Sequence, residues 1–209
     1  VIPEQKAREL EELRQRVRQL EEELARSEGA GQWPPRGYYL VYHVTAGFVL
    51  GMFGAATSLL LNIIGSLIVG QHPLQLIRVY LTFPLGEAAL RTDDHLALAV
   101  GCCLYLATGM LFGVPFHLIL TRFFSDSSFA SRFMAVTTLA LGLWLVNFYL
   151  ILSWLQPLLF GGDWIVAEIP WWVAALTHLV FGWTMLLVQP WGVFVPYRPQ
   201  LSATEREGQ

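Results

Sequence analysis

The chain has 209 residues, of which 55% are hydrophobic and only 14% charged, with a formal net charge of −3. That balance suits a membrane protein better than a soluble domain. It offers no basic surface of the kind a nucleic-acid partner requires.

The first element in chain order is an arm over residues 1–28. Residues 1–36 hold seven of the thirteen basic and eight of the sixteen acidic residues. Such a charged start is unlike the short basic n-region of a signal peptide, and an opening Val rather than Met leaves room for residues upstream. Leu10, Leu13, Val17, Leu20 and Leu24 recur at 3-4-3-4 spacing, which predicts a helix with a heptad seam. With Leu10 at position a, Arg16 would face Glu21 of a parallel partner and Arg14 would face it in an antiparallel one, so the charges choose neither. Glu4–Arg8, Glu12–Arg16 and Glu22–Arg26 add support one turn apart. A seam this short is marginal alone. Two readings stand side by side: a coiled-coil arm for a partner chain, and a solitary amphipathic helix on a surface. Residues 29–37, GAGQWPPRG, break the helix and read as a linker.

Four apolar stretches follow, at about 38–70, 96–120, 133–160 and 171–194. Crossing a ~30 Å hydrocarbon core takes about 20 mainly apolar residues. None of the four contains Lys, Arg, Asp or Glu, whose charges are costly at bilayer depth. The expected fold is all-α: a polytopic membrane protein with a four-helix transmembrane domain over 38–197, preceded by the arm and followed by a polar tail, 198–209. Between spans 1 and 2, HPLQLIRVYLTFPLG is apolar but short, with Pro73 and Pro84 at its ends. An interfacial amphipathic helix is the expectation there; a re-entrant segment is the alternative.

Positive-inside counting orients the chain. With the N-terminus in the cytoplasm, eleven of the thirteen Lys and Arg collect on that side, and only Arg78 and Arg91 lie outside. The expected location is a bacterial inner membrane, N-in and C-in. Trp154, Trp164, Trp171 and Trp172 would then mark the outer interface, and Trp33, Tyr38, Tyr39, Trp191 and Tyr197 the inner one.

Candidate chemistry is sparse. Gly47, Gly51, Gly54, Ser58 and Asn62 line one side of span 1, and Gly109 and Gly113 repeat the small-xxx-small pattern in span 2. Such residues let helices approach closely, either inside the bundle or against another subunit. His43 lies about five residues into span 1 and His117 about four before span 2 ends. At ~1.5 Å per residue both are roughly 6–8 Å below the inner interface. Paired histidines at one depth are what axial ligation of haem b needs, and His178 in span 4 could contact a quinone. No repeated histidine spacing marks a two-haem fold, and hydrogen-bonded structural histidines are the favoured reading. Adjacent Cys102 and Cys103 point about 100° apart on a helix and read as packing residues rather than a disulfide or metal clip.

Glu87, Asp93, Asp94, Asp163 and Glu168 leave the outer face acidic. That could steer a basic electron carrier, but capping of the second membrane helix by Thr92, Asp93 or Asp94 is the simpler use. Asp94-His95 alone is too few ligands for a metal. Asn62, Asn147 and Gln156 read as interhelical glue. No metal site, no catalytic residue and no nucleotide loop is expected, and no cofactor beyond a haem b or quinone.

The functional expectation is a non-catalytic accessory subunit of a multi-subunit membrane complex, with an electron-transfer complex as the expected parent. Its partners would be other integral membrane subunits, the bilayer and a coiled-coil mate for the arm. Two rivals are a redox-active subunit using His43, His117 or His178, and a small-molecule permease.

Overall fold

A computed structural model describes residues 6, 11–20 and 36–194. The chain divides into two compact units, Val1–Val41 and Tyr42–Gln209. Among the described residues every regular element is helical and there is no strand.

In the first unit, residues 11–20 form a helix (α1). Leu13, Val17 and Leu20 stand out from it, 60%, 45% and 52% exposed. Leu10 and Leu24, the ends of the expected seam, lie outside the described residues, as do the linker through residue 35 and the tail from residue 195.

Four helices are long and apolar enough to cross a membrane: Leu40–Ile68, His95–Phe123, Phe129–Phe160 and Trp171–Gly192. At ~1.5 Å per residue, even the 22-residue last one exceeds a ~30 Å core. Leu60, Leu111, Leu150 and Leu187 face outward from them, as side chains that meet hydrocarbon can. Long apolar runs, with Arg122 and Arg132 only near helix ends, set their lengths, and local signals set their ends. The first helix (α2, Arg36–Ile68) stops where Gly70 takes φ +71°, a left-handed conformation that suits glycine. Asp94 caps the second (α4, His95–Phe123), its carboxylate accepting from Leu96 N at 2.9 Å. The third starts four residues before its expected position, because Ser128 caps it by accepting from Ser131 N at 3.3 Å. It runs as α5 (Phe129–Leu145), a π-helical segment (Val146–Leu152) and α6 (Ser153–Phe160), and closes at Gly161 with φ +80°. No sequence signal predicted the π-helical segment. A short α7 (Trp164–Glu168) leads to α8 (Trp171–Val188), which tightens into a 3-10 turn at Gln189–Gly192 around Pro190.

Residues 75–85 form a helix as expected (α3, Gln75–Leu85), followed by a 3-10 turn, Gly86–Arg91. It packs closely on its neighbours. Ile77, Val79, Leu81 and Thr82 are all buried, which covers most of its circumference. Ile77 and Leu81 fill the hollow left by Gly101 of α4, while Val79 joins Phe148, Ile165 and Ala174 in a separate cluster. The cause is polar as well as apolar. Gln156, with no exposed surface, donates to Thr82 Oγ1 (2.9 Å) and accepts from Ile165 N (3.0 Å), tying α3, α6 and α7 together. Arg78 donates to Thr92 O (2.9 Å) and pairs with Asp93, anchoring α3 to the start of α4.

At the opposite end of the bundle the main core joins α2, α4, α5 and α8 through Leu50, Phe116, Leu120, Val136, Phe181 and Met185. Gly182 lets α5 close on α8, since a Cβ there would lie 3.0 Å from Ala140 Cβ. Trp183 Nε1 donates to Thr137 Oγ1 across the same seam (3.1 Å).

Candidate functional site

The small residues of spans 1 and 2 face each other. A Cβ on Gly51 would stand 2.9 Å from the Cα atoms of Gly113 and Met110 and closer still to Gly109 O. A Cβ on Gly47 would meet Val114 Cα and His117 Cβ, each at 2.9 Å. Backbone therefore packs on backbone where α2 crosses α4. Gly54 receives the ring of Phe181, Ser58 bonds Tyr105 (2.9 Å), and Asn62 donates to Thr177 Oγ1 (2.9 Å). Of the two uses considered for these residues, internal packing is the one they serve in this chain.

That close crossing brings His43 and His117 together. His43 Nδ1 lies 3.3 Å from His117 Nε2, and His117 Nε2 lies 3.1 Å from Gly192 O. A carbonyl only accepts, so His117 Nε2 carries the proton and shares it between Gly192 O and the lone pair of His43 Nδ1. His117 is fully buried and its Nδ1 has no partner. Two nitrogens on opposite sides of one metal need roughly 4 Å between them, at ~2.0 Å per bond. A flat macrocycle also needs open space around the metal. Here Gly47 and Gly192 close upon His117, so the pair is arranged as a hydrogen-bonded contact between helices.

His178 stands elsewhere, on the wall of a partly open cavity of about 400 Å³ lined by α2, α3, α4, α5, the π-helical segment, α7 and α8. The cavity is lined mainly by aromatic and aliphatic side chains, with a few polar groups converging from different helices. Phe148 packs edge-on against the His178 ring, the centroids 6.3 Å apart. His178 Nδ1 is 2.8 Å from Ala174 O and must be the donor, which leaves its Nε2 with a lone pair. Tyr80 reaches from α3 to Thr108 (2.5 Å), and Tyr105 from α4 to Ser58 (2.9 Å).

Sequence reasoning named His178 and Asn147 but missed the two tyrosines and the cavity itself. Tyr80 lay in a segment expected at the interface, and its tertiary setting has no local sequence signature. Asn147 sits in the π-helical segment, and among the described residues its side chain makes no hydrogen bond, in contrast to those of Asn62 and Gln156. π-bulges recur at functional sites, so this placement is informative. Among the described residues, no three His, Cys, Asp or Glu converge as metal ligands. Cys102 and Cys103 are free thiols. No family model, no curated protein and no solved structure matches the chain.

Proposed function

We propose that this chain is a non-catalytic accessory subunit of a multi-subunit membrane complex, a bacterial respiratory or other electron-transfer assembly, held in the inner membrane with both termini in the cytoplasm. One observation carries the reading: Leu13, Val17 and Leu20 form an exposed apolar seam on α1, outside the four membrane-length helices. Outward leucines on the spans have lipid to cover them. This seam lies on a highly charged arm outside those spans, and apolar surface left in water forgoes about 25 cal/mol per Å². A coiled-coil mate on another subunit would cover it.

The lack of Asp and Glu in the spans, with Arg122 and Arg132 only near helix ends, supports a supporting role over an ion-coupled one. The distribution of Lys and Arg supports the orientation. On that orientation α3 belongs to the outer half of the bundle, with Arg78 and Asp93 at its rim.

Extraction in mild detergent, followed by identification of co-purifying chains, tests the proposal. Other integral membrane subunits should remain attached, and deletion of residues 1–28 should release them or loosen their assembly. A lone chain of full stability, unchanged by the deletion, would refute it. The haem form of the redox rival requires a b-type band in the reduced-minus-oxidised spectrum that disappears in His43→Ala or His117→Ala; no band is expected. A permease would carry solute in proteoliposomes containing this chain alone, where no flux is expected.

A further inference from the structure

The geometry points to a binding site for a membrane-soluble quinol in the cavity between α3, α4, the π-helical segment and α8, with His178 Nε2 and Asn147 as its polar contacts. The inference stands on the cavity and is independent of what the arm binds.

The argument follows the protons. Thr108 donates its hydroxyl proton to Leu104 O (2.9 Å), so in the 2.5 Å contact Tyr80 must be the donor. Ser58 donates to Ala55 O (3.0 Å), so Tyr105 must donate to Ser58. Thr177 donates to Val173 O (2.8 Å), and His178 gives its Nδ1 proton to Ala174 O. Every hydroxyl and imidazole proton on the wall is thus committed to the protein. What remains on these wall residues is lone pairs, on His178 Nε2 and on the two tyrosine oxygens. Asn147 is the exception, with both a carbonyl and an NH₂ free. A wall rich in acceptors selects a ligand that donates.

Three further properties narrow the class. Among the described residues no Lys, Arg, Asp or Glu lines the cavity, so a charged ligand would lie uncompensated. Most of the wall belongs to helices long enough to cross a membrane, which suits a ligand that partitions into lipid. Phe83, Phe112, Phe148 and Phe181, with the two tyrosines, surround the space with ring faces and edges, which favours an aromatic headgroup. A cavity of about 400 Å³ lies within the size range of small-molecule sites. A neutral aromatic ring bearing hydroxyl donors and a lipid tail is a quinol. Its oxidised form has two carbonyls and no donor, and would set oxygen against the lone pair of His178 Nε2.

The test uses the full chain in lipid nanodiscs and isothermal titration under anaerobic conditions with decylubiquinol, decylubiquinone and farnesol as probes. Saturable one-to-one binding of the quinol is expected, about tenfold or more tighter than the quinone, the scale of one hydrogen bond to a buried acceptor. Farnesol, a lipid alcohol without a ring, should bind more weakly than the quinol. His178→Phe should weaken quinol binding about tenfold. Asn147→Leu, a change of similar size in a different helix, should weaken it too if His178→Phe fails to fold. Quinol uptake no greater than in empty nanodiscs overturns the proposal, as do equal affinity for quinone or farnesol and unchanged affinity in folded variants at both positions.

Discussion

Replacing Gly51 with alanine adds a single methyl group where the structure has no room for one. An added Cβ would lie 2.9 Å from the Cα atoms of Gly113 and Met110, whereas ordinary contact begins near 3.4 Å. The obstacle is backbone, which cannot rotate away as a side-chain tip can, so α2 and α4 must part by at least the difference of 0.5 Å. A gap of 0.5–1 Å forfeits roughly a quarter to a half of each dispersion contact along the seam. Overpacking of this kind costs about 1–3 kcal/mol. Gly65 lies on the same helix with nothing within 4 Å of its Cβ position. Alanine there should be neutral, or stabilising by up to about 1 kcal/mol, because glycine is the poorer helix former. Reversible unfolding of both variants in one lipid or micelle system provides the measurement. Equal stability of Gly51→Ala and Gly65→Ala would refute the backbone-on-backbone crossing.

Three other substitutions probe separate parts of the fold. Gln156→Leu keeps the volume but leaves Thr82 Oγ1 without a donor and Ile165 N without an acceptor; it should cost about 2–4 kcal/mol, and limited proteolysis should find the α3 region newly susceptible. Asp94→Ala removes the cap of α4 and should cost about 1 kcal/mol, read as a lower unfolding midpoint, while Asp94→Asn should recover most of it. Leu13→Glu with Leu20→Glu places charge on the exposed seam of α1. It should abolish co-purification with partner subunits yet leave the unfolding midpoint of the isolated chain unchanged; retained partners would count against the arm as a pairing element.

The contrast between spans and sites shows how far a linear reading reaches. Membrane-length helices are legible because hydropathy and the absence of ionised residues are properties of contiguous sequence, and each helix satisfies its own backbone hydrogen bonds. Gly70, Ser128 and Gly161 ended or began helices within a few residues of their expected places for the same reason: caps are local. The Gly47–Gly51 and Gly109–Gly113 pairs were also visible, but a small-xxx-small pattern says only that something approaches closely. That the two pairs meet each other is a property of the packed bundle.

Helix faces carry no address, which is why the site escaped the sequence. His43 and His117 were expected at one depth, but whether they would flank a cofactor or touch each other depended on the α2–α4 distance. The glycines made that distance short. Tyr80 became a cavity residue only because Gln156, Thr82 and Arg78 hold α3 inside the bundle. Asn147 was recognisable as a polar residue in the membrane, but nothing in the sequence showed that it would sit in a π-helical turn beside the cavity. What the amino-acid order determined by itself was where the chain is oily and where it turns, because those preferences act over a few neighbouring residues. Ser58, Thr108, Thr177 and His178 give their protons to carbonyls three or four residues away, but where Tyr80 and Tyr105 spend theirs was decided only when α3 met α4 and α4 met α2, since such a hydrogen bond depends on position in space.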